Sequence, residues 1–224
     1  MKPLIICLLT IFFSIHTCSE KSSNRQIEKF ERILGEKSSG ELTLLVNEFE
    51  ENILKIKYPA KTIRQSYELL FKDIRKYSPH IFELQTDYGQ TIWENSTLKN
   101  EIYRYPDSVW VEGDLIKTDY RTPKSDGTFE SGIYTTIGLN LSKYKTVDSL
   151  ISYHMNKPIM NVNGKFWQAL RELEKDNKFV EKYNGQIKLI GHIPYYKIPD
   201  VVDFYEIDPT DFLIKRILIK SMIY

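Results

Sequence analysis

The spacing of apolar residues changes twice along this chain, and that change limits the fold more than any other feature. From Leu42 to Phe49 apolar residues recur at helical spacing, which is typical of an amphipathic helix. From Ser108 to Ile137 they alternate with polar residues, which is typical of β-strands. After Lys145 the helical spacing returns. Helices on both sides of a short alternating segment predict an α+β fold.

The N-terminal third of the chain predicts amphipathic helices that share one core. Apolar stripes at helical spacing cover residues 27–34, 42–56 and 63–74. The third stripe has a clear start signal, because Thr62 and Gln65 match the capping-box pattern. Each such helix has an apolar side that must be buried, so helices in succession are expected to pack together.

The alternating segment predicts a small antiparallel sheet. Asp-Gly at 126–127 lies between two alternating runs, which is a strong hairpin signal, so we expect a meander over about 108–137. Further helices are expected at 147–156 and 179–190, after a start signal at Thr146 for the first of them. Asp208 to Asp211 resembles another helix start. The β-branched residues that follow favour a strand at about 214–223, which would close the sheet.

No internal repeat or linker-like stretch divides residues 25–224, so the sequence predicts a single α+β domain there. The net charge of the whole chain is +1, and Lys and Arg are scattered among Asp and Glu. A chain without a basic patch is not expected to bind nucleic acid. Trp93, Trp110 and Trp167 each lie in an apolar pattern, so all three are expected in the core.

The N-terminus has the order of a secretory signal. Lys2 supplies a positive charge, residues 4–13 are almost wholly apolar, and the chain turns polar after Cys18. This order predicts a signal peptide over residues 1–17 that is removed on export. The apolar run is shorter than the ~20 residues that span a bilayer.

A cysteine directly after such a run resembles the lipobox of bacterial lipoproteins, in which that cysteine is acylated and becomes the mature N-terminus. Ile15 fits the pattern, whereas His16 departs from the small residue it prefers. The resemblance implies that acylated Cys18 attaches the protein to the lipid bilayer, with residues 18–24 as a tether. Ser19 in place of Asp after the cysteine implies the outer membrane. The alternative is an unmodified Cys18 in a secreted or periplasmic soluble protein.

An acidic segment near the C-terminus is the one candidate for ligand chemistry. Its carboxylates and aromatic rings could hydrogen-bond and stack on a sugar or perform acid/base work. The candidate residues are Tyr195, Tyr196, Asp200, Asp203, Asp208 and Asp211. The competing interpretation is helix caps and a solvated helix face. His80, His154 and His192 include no pair at close spacing, so no metal site is expected, and no cofactor motif occurs.

Residues 25–224 resemble no family of known activity. We therefore expect an exported lipoprotein of the bacterial cell envelope with a non-catalytic binding or structural role, and either a protein or a glycan as partner. The alternative is an envelope hydrolase that uses carboxylates of the 200–211 segment.

Overall fold

The structure is a computed structural model that describes residues 24–76, 84–123, 128–137, 144–190 and 193–223. Its backbone contacts divide into two compact units. The first unit comprises the described residues up to Lys99 together with those from Lys165 onward, and the second comprises Asn100–Gly164. A division by contacts does not decide how the chain folds, so a single domain over residues 25–224 stays a prediction.

The α+β prediction is confirmed. In chain order the helices are α1 (24–34), α2 (Glu36–Phe49), α3 (Ile63–Lys76), α4 (Asp87–Asn95), α5 (Leu98–Ile102), α6 (Val147–Met155), α7 (Lys165–Leu173), α8 (Lys178–Ile190), α9 (Ile198–Phe204) and α10 (Phe212–Ile223). The strands are β1 (Tyr103–Arg104), β2 (Ser108–Glu112), β3 (Leu115–Pro123), β4 (Phe129–Ile137) and β5 (Ile159–Met160). Helix α2 continues into a π-helical turn, Glu50–Leu54, and a last turn, Lys55–Lys57, while a 3₁₀ turn, Tyr195–Lys197, precedes α9.

The predicted meander over residues 108–137 is confirmed in its strands, which form a three-stranded antiparallel sheet in the order β2-β3-β4, while the Asp-Gly at 126–127 lies outside the described residues. The register between β3 and β4 is continuous, from Leu115 opposite Ile137 to Pro123 opposite Phe129. A second antiparallel pair, β1 with β5, was not predicted, because strands of two residues carry no periodic signal.

Capping residues fix the starts of several helices, as the sequence predicts. The Gln65 side chain accepts from the Thr62 amide at 3.1 Å, while the Gln65 amide donates to the Thr62 hydroxyl at 3.3 Å. Thr146 and Ser149 form the same reciprocal box at the start of α6. Each box satisfies amide groups that lack partners inside the helix.

The strand expected at 214–223 is wrong, because these residues form α10. Asp211 caps this helix and accepts from the amide of Leu213 at 2.8 Å. The helix is buried on most of its surface, and the residues that are at most 3% exposed include Leu213, Ile214, Ile217, Leu218 and Ile219. A helix buried on most sides lacks the one-sided stripe that marks an amphipathic helix, and burial overrides the strand preference of isoleucine.

Candidate functional site

The carboxylates of α9 are held by cations. Asp200 lies 3.5 Å from the Arg75 Nε and 3.7 Å from the Lys197 Nζ. Asp203 accepts a hydrogen bond from the same Arg75 guanidinium, which also donates to the Pro199 carbonyl at 2.9 Å. Arg75 therefore ties α9 to α3, and both carboxylates act in this attachment.

The next two carboxylates organise the start of α10. Asp208 accepts from Arg64 at 3.0 Å and from the Thr210 hydroxyl at 2.6 Å, and Asp211 is the helix cap. Burial acts to raise the pKa of Asp208, but the hydrogen bonds from Thr210 and the charge of Arg64 outweigh it and hold the pKa below its usual value. A catalytic acid needs the opposite shift, because it must keep its proton near neutral pH.

The two candidate tyrosines lie in the 3₁₀ turn before α9. Their rings are 6.0 Å apart and nearly perpendicular, and Tyr196 is 42% exposed. Perpendicular rings do not form one flat platform for a sugar. The structure thus gives the acidic segment attachment and capping contacts, which removes the observation on which the hydrolase alternative is based.

A buried ionic network around α10 was not found by sequence reasoning. Glu50, at the π-helical turn, accepts from the Tyr67 hydroxyl at 3.1 Å and pairs with Lys215 at 2.6 Å. Burial, followed by the charge of Glu50, raises the pKa of Tyr67 well above its ordinary value, so this tyrosine remains a donor. One residue further along α10, Arg216 donates to the Thr43 hydroxyl at 2.8 Å. The sequence does contain a signal for this network, namely the basic residues inside the apolar run after residue 211.

Lys220 lies deeper in the same unit. It is 3% exposed, its ammonium is 4.9 Å from the centre of the Trp167 ring, and burial lowers its pKa to about 8. A lysine with a lowered pKa can serve as a base or nucleophile where a substrate reaches it. At 3% exposure a substrate would have to open the core first, so we assign Lys220 to the interior.

The histidines do not form a site in the described part of the chain. His154 is buried in the last turn of α6, and burial, with the charge of Lys157, lowers its pKa. The neutral imidazole is therefore favoured there. His80 and His192 lie outside the described residues, as does Cys18, and the described residues contain no group of three potential metal ligands.

A groove of about 460 Å³ lies beside α1 and carries charges of both signs. Arg25, Lys29 and Arg32 line it together with Glu28 and Asp176. Lys29 already donates to the Glu172 carbonyl at 2.6 Å and lies 3.7 Å from the Asp176 carboxylate. An anion bound there would compete with these carboxylates, so the groove is a weak candidate.

The two sides of the meander differ mainly in what they expose on β4. Ile116, Thr118 and Tyr120 on β3 point to one side, which we call the covered side, and are at most 6% exposed. On the other side Asp119 is also only 6% exposed, where Ser131 and Arg121 contact it, so the exposure of that side lies on β4. Residues directly opposite each other share a side, and the other side therefore carries Trp110 opposite Lys117, Asp119 opposite Ile133, and Arg121 opposite Ser131. We call this second side, with Phe129, the open sheet face.

The open sheet face combines apolar exposure with polar contacts that are already satisfied. Phe129 is 63% exposed and Ile133 57% exposed. Asp119 accepts from the Ser131 hydroxyl at 2.5 Å, and Lys117 pairs with Glu112. Trp110 is only partly buried, short of the core position predicted for it, whereas Trp93 and Trp167 are buried as predicted.

Strand β4 is also exposed on the covered side of the sheet and along its outer edge. Tyr134 points to the covered side, where its ring meets that of Tyr120 at 5.4 Å, yet it is still 57% exposed. Among the described residues, only β3 pairs with β4, so its outer edge has no strand beside it. An exposed edge presents unpaired backbone groups that can accept another strand. This strand and the open sheet face are the best candidate site.

Comparison of the chain with protein-family models, with curated proteins and with solved structures finds no match. Within the described ranges, no helix has the length and apolar character needed to cross a membrane.

Proposed function

We propose that this protein is an exported, lipid-anchored protein of the bacterial cell envelope that binds a polypeptide partner through β4 and the open sheet face, without catalysis. One observation carries the binding role: β4 is nine residues long and exposes Phe129, Ile133 and Tyr134 by more than half. Exposed apolar side chains that cluster on one element are typical of an interaction surface.

The chemistry of β4 favours a polypeptide over a glycan. An added strand can hydrogen-bond to the backbone along the open edge, and alternate side chains then contact each sheet face. Sugar sites need convergent polar groups beside an aromatic platform. On the open sheet face the charged groups are already engaged: Asp119 by Ser131 and Arg121, and Lys117 by Glu112. The apolar groups on this surface are what a partner strand would cover.

The envelope location is supported by the order of residues 1–24, with its positive start, its short apolar run and Cys18. Acyl chains on Cys18 would hold the protein at a bilayer surface, since two or more chains give stable attachment. The hydrolase alternative has less support, because Asp200 and Asp203 share Arg75 and Asp208 and Asp211 organise the start of α10.

Photo-crosslinking of the full-length protein tests the binding role. A photoreactive p-benzoyl-phenylalanine replaces Phe129 or Tyr134 in cells that make the protein naturally, and Leu189, which is 85% exposed on α8, is the control position. We expect adducts of discrete mass from both β4 positions and not from position 189. Equal adducts at all three positions, or none at β4, would overturn the proposal.

A further inference from the structure

We propose that the partner of β4 is a second copy of this chain, paired antiparallel through β4 with Ile133 on the two-fold axis. The result is a continuous six-stranded sheet made from two meanders. This inference rests on the proposed function, because it names the partner of the same surface.

Within the part of the chain that the structure describes, the outer edge of β4 has few of the features that keep edge strands from pairing. Soluble proteins protect such edges with lysine, proline, bulges or short strands. Residues 129–137 contain one charged residue, Glu130, and no proline. The continuous register with β3 shows that no bulge bends the strand.

The other edge of the same sheet shows the contrast. Strand β2 has five residues, Pro106 precedes it, and helix α6 packs against it. One edge strand of the sheet is thus short and packed against a helix, whereas the other is long and, within the described ranges, has no strand beside it. This asymmetry is what a sheet needs if it pairs through a single edge.

Strand β4 is complementary to itself in one register. With Ile133 opposite its own copy, Glu130 faces Thr136 and Ser131 faces Thr135, so no like charges meet. Gly132 faces Tyr134, which places a small residue beside a large ring. Ile133 of both copies then lies on the open sheet face, where each side chain is 57% exposed before pairing. A register centred on Glu130 would instead oppose two carboxylates, which is destabilising.

The proposed anchor makes a second copy the favoured occupant. A single nine-residue strand pair buries less than the ~1,600 Å² of a standard interface, so the dimer is expected to be weak in solution. Attachment to one membrane raises the local concentration of copies without any new contact. The two-fold axis between antiparallel strands runs perpendicular to the sheet, so the open sheet faces of both copies point the same way, which suits two chains anchored in one bilayer.

Disulfide trapping in membranes tests both the partner and the register. Side chains directly opposite each other have Cβ atoms about 4.5–5.5 Å apart, close to the geometry of a disulfide. Residue 130 would lie six positions, or about 20 Å, from its own copy. Full-length Ile133→Cys is expected to form a disulfide-linked dimer on mild oxidation. Glu130→Cys alone and Thr136→Cys alone are not expected to form this dimer. The two variants expressed together are expected to form it. The unsubstituted chain is the control, because any disulfide-linked dimer that it forms must come from Cys18.

A charge at the axis provides the matched test. Ile133→Lys places two ammonium groups opposite each other, so the dimer adduct formed from the photoreactive group at position 129 should fall roughly tenfold. Ile56→Lys, at a position that is 72% exposed on the turn after α2, should leave it unchanged. Circular dichroism confirms that both variants fold.

The outcomes separate this inference from the proposed function. Dimers from Ile133→Cys and from the mixed pair alone support self-pairing in the stated register. Equal dimers from every single variant indicate non-specific association and overturn it. No disulfide dimer, together with β4 photo-adducts to another protein, overturns self-pairing and leaves the proposed function standing. Absence of both overturns both.

Discussion

Replacing Lys220 with methionine should stabilise the protein near neutral pH. Lys220 is 3% exposed, and burial lowers its pKa from 10.5 to about 8. This difference corresponds to a charging cost of about 3 kcal/mol in the folded state. Methionine keeps an unbranched apolar side chain beside Trp167 but gives up the interactions of the ammonium, of which the cation–π contact is worth about 1–2 kcal/mol. The expected net gain at pH 7 is therefore at most about 1–2 kcal/mol.

The same substitution should change how stability depends on pH. Because the pKa of Lys220 is lower in the folded than in the unfolded state, the unfolded chain binds more protons between pH 8 and 10.5. The free energy of unfolding of the unsubstituted protein should therefore rise with pH through this interval, since the charging cost is fully present below it and is relieved above it. Lys220→Met lacks this group, so its advantage should shrink as pH rises.

Urea denaturation at pH 7, 8, 9 and 9.5 measures both effects. The series stops at pH 9.5 because burial raises the pKa of Tyr67 and Tyr183, so their titration lowers stability at higher pH. Lys72→Met, at an exposed position on α3, is the control and should show neither effect. A variant less stable than the unsubstituted protein at pH 7, or a difference that does not change with pH, would refute the reasoning.

Four other substitutions test packing, capping and ion-pair contacts, each by the free energy of unfolding in urea. Thr62→Ala removes a capping box and should cost about 1 kcal/mol. Gly164→Ala should cost about 1–3 kcal/mol, because its Cβ would overlap a neighbouring backbone carbonyl. Gly185→Ala, with open space around it inside α8, should instead stabilise by about 0.5–1 kcal/mol. Lys215→Met leaves Glu50 without its cation and should cost about 3 kcal/mol, and a neutral result would show that the pair contributes nothing net.

The local signals in the sequence predicted most of the elements. A capping box at Thr62 and a capping residue at Thr146 marked two helix starts, and alternation between 108 and 137 marked the meander. These features act over a few residues, so the sequence carries them directly. The π-helical turn at Glu50–Leu54 and the pair β1–β5 have no such local signal.

The errors have one physical source, which is burial by residues distant in sequence. Helix α10 was predicted as a strand because its isoleucines favour strands when burial is ignored. Trp110 was placed in the core because alternation shows that a strand has two sides but not which side is covered. The burial of Ile116 and Tyr120 shows which side of β3 is covered. The strand register then places Trp110 and Ile133 on the open sheet face. The candidate site could therefore not be located before the structure.

The account depends most directly on the chemistry of Cys18, since both the envelope location and the membrane-assisted pairing of β4 require the anchor. The decisive measurement is the intact mass and membrane partition of the protein expressed in a bacterial host, beside Cys18→Ala. We expect a mature chain that begins at Cys18, carries the added mass of acyl chains and partitions with the membrane, with all three features lost in the variant. An unmodified mass in the soluble fraction would contradict the account and favour a secreted protein with a free thiol.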